Sequence, residues 1–228
     1  MRTRLAAAFA ALLPAVALAA GPSVPAGFTA LFNGKDTTGW HVSQTNHHGN
    51  SQGWSVKDGV VLATQDRPGN GGILLTDRKY RDFEVSLEVN PDWGCDGGLF
   101  LRSNEAGEAY QVMIDYLEGG SVGGVYGEGL DPLPGGTGEK VNRDWMKHWK
   151  KGEWNRLRAR IEGDVPHVRV WLNDAPLVDW TDTANHAKGG ATDGMIALQM
   201  HFSNEKTPRW KEGGFHRYRN VAVKELPR

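Results

Sequence analysis

Beyond its first residues, the chain alternates apolar and polar positions in many short runs. Successive side chains of a strand point to opposite faces, so this pattern predicts half-buried strands. In Phe83 to Val89, residues Phe83, Val85, Leu87 and Val89 share one face, and Glu84, Ser86 and Glu88 share the other. Arg156 to Ile161 sets Leu157, Ala159 and Ile161 against Arg156, Arg158 and Arg160. Gly98 to Arg102 sets Leu99 and Leu101 against Phe100 and Arg102, and Tyr110 to Asp115 sets Tyr110, Val112 and Ile114 against Gln111, Met113 and Asp115. Met195 to His201 places Ile196, Leu198 and Met200 opposite Gln199 and His201. Val168 to Leu172, Leu177 to Trp180 and Asn220 to Leu226 read as further strands. Asp58-Gly59 between Trp54-Ser55-Val56 and Val60-Val61-Leu62 predicts a hairpin, and Asn173-Asp174 predicts a second turn.

No long stretch has helical periodicity. Asn142 to Lys151, with Val141, Trp145, His148 and Trp149 at roughly helical spacing, predicts a short helix or an ordered loop. Gly119 to Gly138 is too rich in Gly and Pro for a long strand and predicts a loop, with at most a brief strand at Val122 to Tyr126. Ser203 to Arg217, carrying Lys206, Arg209, Trp210, Lys211 and His216, predicts a second long loop. Loops of that length in a compact domain are usually functional. Many short strands, Gly-rich turns and no repeat together imply an all-β sandwich.

The start of the chain departs from this pattern. Arg2 and Arg4 precede an apolar run from Leu5 to Leu18, and Ala17-Leu18-Ala19 has small-x-small character. Residues 1–19 are therefore expected to be a signal peptide, followed by one domain over residues 20–228. The expected location is periplasmic or secreted, with no membrane insertion after cleavage and, lacking a Cys at the cleavage site, no lipoprotein anchor. A net charge of -1 offers no basic field for nucleic acid. Cys95 is the only cysteine, so no internal disulfide forms and stability rests on a core, where Cys95 is expected as a small packed residue.

Several ordered segments resemble the 3-keto-disaccharide hydrolase domain family. They begin with Phe28-Thr29-Ala30-Leu31-Phe32-Asn33-Gly34-Lys35-Asp36, closed by Gly39-Trp40, and continue through Trp54 to Leu62, Tyr80 to Glu84 and Gly97 to Arg102. Tyr110 to Asp115, Glu153-Trp154-Asn155, Trp171-Leu172-Asn173, Ile196 to Gln199 and Arg219-Asn220-Val221 complete the series. The resemblance implies a concanavalin-A-like jelly-roll β-sandwich of two antiparallel sheets, with a concave face carrying the site. It also implies an exported carbohydrate-active enzyme that cleaves glycosides already oxidised to a ketone at C3. This chain departs from the family pattern at Cys95-Asp96-Gly97, at Gln111 and Met113, and in the extension Ser203 to Arg217.

A C3 ketone acidifies the hydrogen at C2, so a base can form an enolate and expel the glycosidic oxygen from C1, with or without later water addition. The reaction needs a base, a stabiliser for the enolate oxygen and an acid or metal for the leaving group. On the outward faces, His201 is the candidate base, Asp115 its partner or substitute, and Glu128 or Glu88 the proton donor. Arg102 is the candidate stabiliser, with Glu88, Gln111 and Gln199 lining the substrate. Trp145, Trp149 and Trp210 are candidates for stacking on a sugar ring, while Trp54, Trp154 and Trp171 are expected in the core. No cofactor is called for. A divalent metal is left open: His47-His48 near Asn46 and Asn50 shows no recognised ligand spacing, adjacent histidines of a strand would diverge, and this segment reads as a loop. A calcium site within Asp115 to Asp131 lacks any EF-hand-like pattern. The competing reading is a non-catalytic, lectin-like glycan-binding module, since sandwich folds host both.

Overall fold

The computed structural model describes residues 23–117, 120–130 and 144–227. The expected signal peptide lies outside these residues, as do parts of the predicted loop Gly119 to Gly138 and the start of the predicted helical stretch. In chain order the elements are β1 (Thr29–Ala30), β2 (Trp40–Val42), β3 (Trp54–Lys57), β4 (Val60–Ala63), β5 (Gly72–Tyr80), β6 (Phe83–Val89), β7 (Gly97–Ser103), β8 (Ala109–Ile114) and β9 (Val122–Glu128). There follow α1 (Trp145–His148), β10 (Asn155–Glu162), β11 (His167–Leu172), β12 (Ala175–Thr181), β13 (Gly194–Met200) and β14 (His216–Glu225).

The strands make two antiparallel sheets. One runs β12-β11-β10-β6-β14-β4-β3, with β1 paired to β14, and the other runs β2-β5-β13-β7-β8-β9. The alternation read from the sequence holds in both. Phe83, Val85, Leu87, Val89, Leu157, Ala159 and Ile161 face Leu99, Leu101, Tyr110, Val112, Ile114, Ile196 and Leu198 across one buried core. Burying each such side chain contributes on the order of 1.5–3 kcal/mol, which makes this layer the main source of stability. The two predicted turns have left-handed backbone at Asp58 and Gly59 and at Asn173 and Asp174, as tight hairpin turns of this kind require.

One expectation changes. Val122 to Glu128 is a full seven-residue strand at the edge of the six-stranded sheet, not a brief one. Its glycines pack where side chains would not fit: a Cβ on Gly123 would strike Leu177. The short helix expected within Asn142 to Lys151 is the single turn of α1, whose Trp145 is buried beside Tyr116, Val122 and Leu172.

The six-stranded sheet has a second, outward face, and it is not simply solvated. Ile73, Leu75, Phe100, Ala109, Met195 and Ala197 form an apolar patch on it. The segment between β2 and β3 folds back towards this patch. Ser43 Oγ donates to Glu105 O at 2.6 Å, and a Cβ on Gly107 would meet both Ile73 and Asn46. That segment delivers two histidines to the outward face.

Candidate functional site

The site begins with three neighbouring strands of the six-stranded sheet. Gly98 pairs with Gln199 across β7 and β13, and with Met113 across β7 and β8. Gln111 and Gln199 alternate with the core residues Val112 and Leu198, so both emerge on the outward face. There Gln111 Nε2 donates to Gln199 Oε1 at 2.9 Å. Gly98 makes this bridge fit, because a Cβ at that position would collide with the Gln111 amide. Gln199 Nε2 lies 2.9 Å from Nε2 of His48 and donates to it. All three side chains are buried, with Gln199 at 0% exposure.

His48 is held by its own loop. Its backbone N–H donates to Asn46 Oδ1 at 2.9 Å, and Asn46 Nδ2 donates to Gly49 O at 2.9 Å. Gly49 has φ +117, a backbone state that a side chain would resist. This turn lets both adjacent rings face the same way. His47 and His48 have centroids 4.1 Å apart, and their Nε2 atoms lie 3.0 and 3.5 Å from one oxygen of Glu128, at the end of β9. The segment is a loop, as the sequence predicts, and in its turn the two adjacent histidines converge where those of a strand would diverge. The ligand atoms of His47, His48 and Glu128 all lie within 4.8 Å of one another. The two histidines, with burial opposing them, hold the Glu128 carboxyl down to about 2. An ionised Glu128 is not the proton donor that the sequence reading made it.

His201 follows β13 and packs its ring 4.8 Å from that of His48. Its Nδ1 sits 2.6 Å from Phe202 O, to which it donates, so Nε2 carries the free lone pair. Burial pushes His201 down to about 4, favouring the uncharged ring. Its Nε2 is 4.0 Å from Oδ2 of Asp96, the residue immediately before β7. Asp96 is 5% exposed, and burial together with the charge of Asp115 pushes its carboxyl well above the usual range. Asp115 is raised as well, again chiefly by burial, although it accepts from Leu117 N–H and from Arg209 Nη1, both at 2.9 Å. Tyr126, opposite Gln111 on β9, is 45% exposed and offers an open aromatic ring beside this group.

The structure thus brings together Gln111, Asp115, Glu128, Gln199 and His201. It adds His47, His48, Asp96, Tyr126 and Arg209, to which the sequence reading gave no role in the reaction. Four predicted site residues lie elsewhere. Arg102 sits in a β-bulge, where β7 gains one residue against β13 between the pairs Met195–Ser103 and Ala197–Phe100. Its φ of +55 turns the side chain off the outward face. The guanidinium, 0% exposed, donates to Arg81 O at 2.7 Å, Gly163 O at 2.9 Å and Asp82 Oδ1 at 2.8 Å. It holds the chain together at that edge and does not reach the substrate face. Glu88 belongs to the other sheet, where Arg219 Nε and Asn220 Nδ2 donate to it at 2.5 and 3.1 Å. Trp145, the first residue of α1, is in the core, and Trp210 is buried with its ring 5.2 Å from that of His216. Neither presents a face to a sugar.

The model of the 3-keto-alpha-glucoside-1,2-lyase-like domain matches residues 27–224. The chain belongs to this family. Family membership makes it a carbohydrate-active, hydrolase-like domain. A 3-keto-disaccharide hydrolase of Bacteroides thetaiotaomicron is 21% identical over 201 residues, covering 76% of this chain and 68% of that protein. Among solved structures, a candidate glycosyl hydrolase from Parabacteroides distasonis superposes with a TM-score of 0.57 at 21% identity, covering 88% of this chain and 94% of that one. The carbohydrate-binding module CBM66 from Bacillus subtilis gives a TM-score of 0.51 at 15% identity, covering 82% and 96%. At these identities the two solved structures establish the sandwich fold.

Proposed function

We propose that the protein cleaves the glycosidic bond of 3-keto-glycosides by removing the C2 proton and expelling the C1 oxygen. The carrying observation is the juxtaposition of His201 Nε2 and the buried Asp96 carboxyl, 4.0 Å apart. Phe202 O fixes the ring so that Nε2 is an acceptor, suited to take the C2 proton. The electron pair of the broken C2–H bond becomes the enolate and then the C1–C2 double bond as the C1–O bond breaks. Asp96, its carboxyl pushed well up by burial and by Asp115, supplies the proton that the departing oxygen needs. Base and acid then stand on one side of the sugar, as a syn elimination requires. Arg209 brings the positive charge for which Arg102 was the candidate, and the buried Gln111–Gln199 bridge holds His48 beside His201. Water added to the enone completes net hydrolysis. The leader-like start of the chain supports export to the periplasm or medium.

The test is incubation of the protein with matched glucosides and 3-keto-glucosides in deuterium oxide. Aglycone release from the ketone alone, with deuterium entering at C2, is the expected result. Equal release from the unoxidised glucoside overturns the reading. Release from neither, with glycan binding retained, favours a binding module.

A further inference from the structure

We propose that His47, His48 and Glu128 bind a divalent first-row transition ion of the Zn2+ class. Three donors of a tetrahedral zinc site, each about 2.0–2.1 Å from the ion, lie roughly 3.3 Å from one another. Glu128 Oε1 lies 3.0 and 3.5 Å from the two Nε2 atoms, bracketing that spacing without any ion in place. Two imidazoles and one carboxylate are a borderline donor set, suited to Zn2+, Co2+ or Mn2+. Ca2+ and Mg2+ ask for more oxygen ligands than this cluster offers.

The surroundings point the same way. A plain ion pair with Glu128 requires one imidazolium, and exposed His47 already meets that need. His48 adds a second imidazole to the same oxygen at the cost of burying its ring, which is 2% exposed. The Nε2 that faces Glu128 also receives the Gln199 amide, so an ion takes the place of that hydrogen bond, while Nδ1 has no hydrogen-bond partner among the described residues. Gln199 is held in turn by Gln111, which leaves a polar amide pair against the site. The loop that carries the histidines is stiffened by Asn46 and by the left-handed Gly49. Three protein ligands leave a fourth position open, and His201 packs against His48 beside it. If the 3-keto-glycoside reading above holds, that position suits the ketone oxygen, whose charge grows as the C2 proton leaves.

The experiment is chelation of the full chain, then calorimetric titration with Zn2+ and with Co2+, with metal content measured by elemental analysis. One ion per chain is expected, and Co2+ should give the visible absorption of a four-coordinate site. Glu128→Gln keeps the shape of the side chain and should weaken binding at least tenfold, as should exposed His47→Ala. His167→Ala, which alters a histidine paired with Asp179 on the other sheet, should leave binding unchanged. Absence of stoichiometric binding, or binding that survives both Glu128→Gln and His47→Ala, overturns the proposal. One ion per chain in a protein that leaves 3-keto-glucosides intact upholds the metal site and overturns the substrate reading instead.

Discussion

The two ends of β7 treat charge in opposite ways. At its start, Asp96 is buried against Asp115 and His201, and its carboxyl pairs with no Arg or Lys among the described residues. Arg209 serves Asp115. At its end, Arg102 is buried with its guanidinium donating to two carbonyls and one carboxylate. A charge that is fully met by fixed partners is structural. A titratable group left poorly matched in a low-dielectric place is available for chemistry, and it costs the fold something to keep.

Substitution at each end should separate these roles. Asp96→Asn should lower kcat/KM on a 3-keto-glucoside by about 10²–10⁴, as loss of a proton-transfer group does. The same variant should be as stable as the parent at neutral pH or more so, because an amide does not carry the carboxylate's desolvation cost. Activity within threefold of the parent would remove the distinction between the two ends. Arg102→Ala should do the reverse. Breaking a buried pair and stranding its acceptors costs about 3–5 kcal/mol, measurable by urea unfolding, while turnover per folded molecule stays near the parent's.

A smaller and pH-dependent effect comes from His216, which packs against Gly97 at the Asp96 end. Its ring is 0% exposed, meets Tyr218 Oη at 2.8 Å and Cys95 O at 3.0 Å, and is pushed down to about 4 by burial. The unfolded chain protonates this histidine near its ordinary 6.5, while the folded chain resists. Its contribution is therefore fully present above about pH 6.5 and is lost as pH falls towards 4, by about 3 kcal/mol in all. Unfolding curves at pH 7 and pH 4.5 should show a steeper loss for the parent than for His216→Gln. Equal slopes would mean that His216 titrates normally in the folded state.

What the sequence revealed of the site follows the same strand. Alternation placed Gln111, Gln199 and His201 correctly because their strands keep register around Gly98. It failed for Arg102 because one extra residue in β7 reverses the face, and nothing in Gly-Leu-Phe-Leu-Arg announces a bulge. Glu88 was assigned to the site wrongly for another reason. Alternation separates inward from outward, but it does not say to which sheet a strand belongs, and β6 lies in the sheet opposite the site. The loop around His47 and His48 was legible, but not that it brings both rings to Glu128. The neighbours Asn46 and Gly49 are turn formers, and a turn was the one setting in which adjacent histidines could converge. Asp96 had a signal, since it stands where the chain departs from the family pattern. Arg209 lay within a loop marked as functional, but only the fold brings it to Asp115, 94 residues away.

The Gln111–Gln199–His48 bridge also constrains how the molecule assembles. Its links span 88 and 151 residues of chain, so it joins segments from near the start, the middle and the end. Contacts of such high sequence separation form only after large loops have closed, which is why topologies built on them fold in milliseconds to seconds. No fragment of the chain can hold this site in part, and the recovery of its chemistry during refolding would serve as a clock for completion of the whole sandwich.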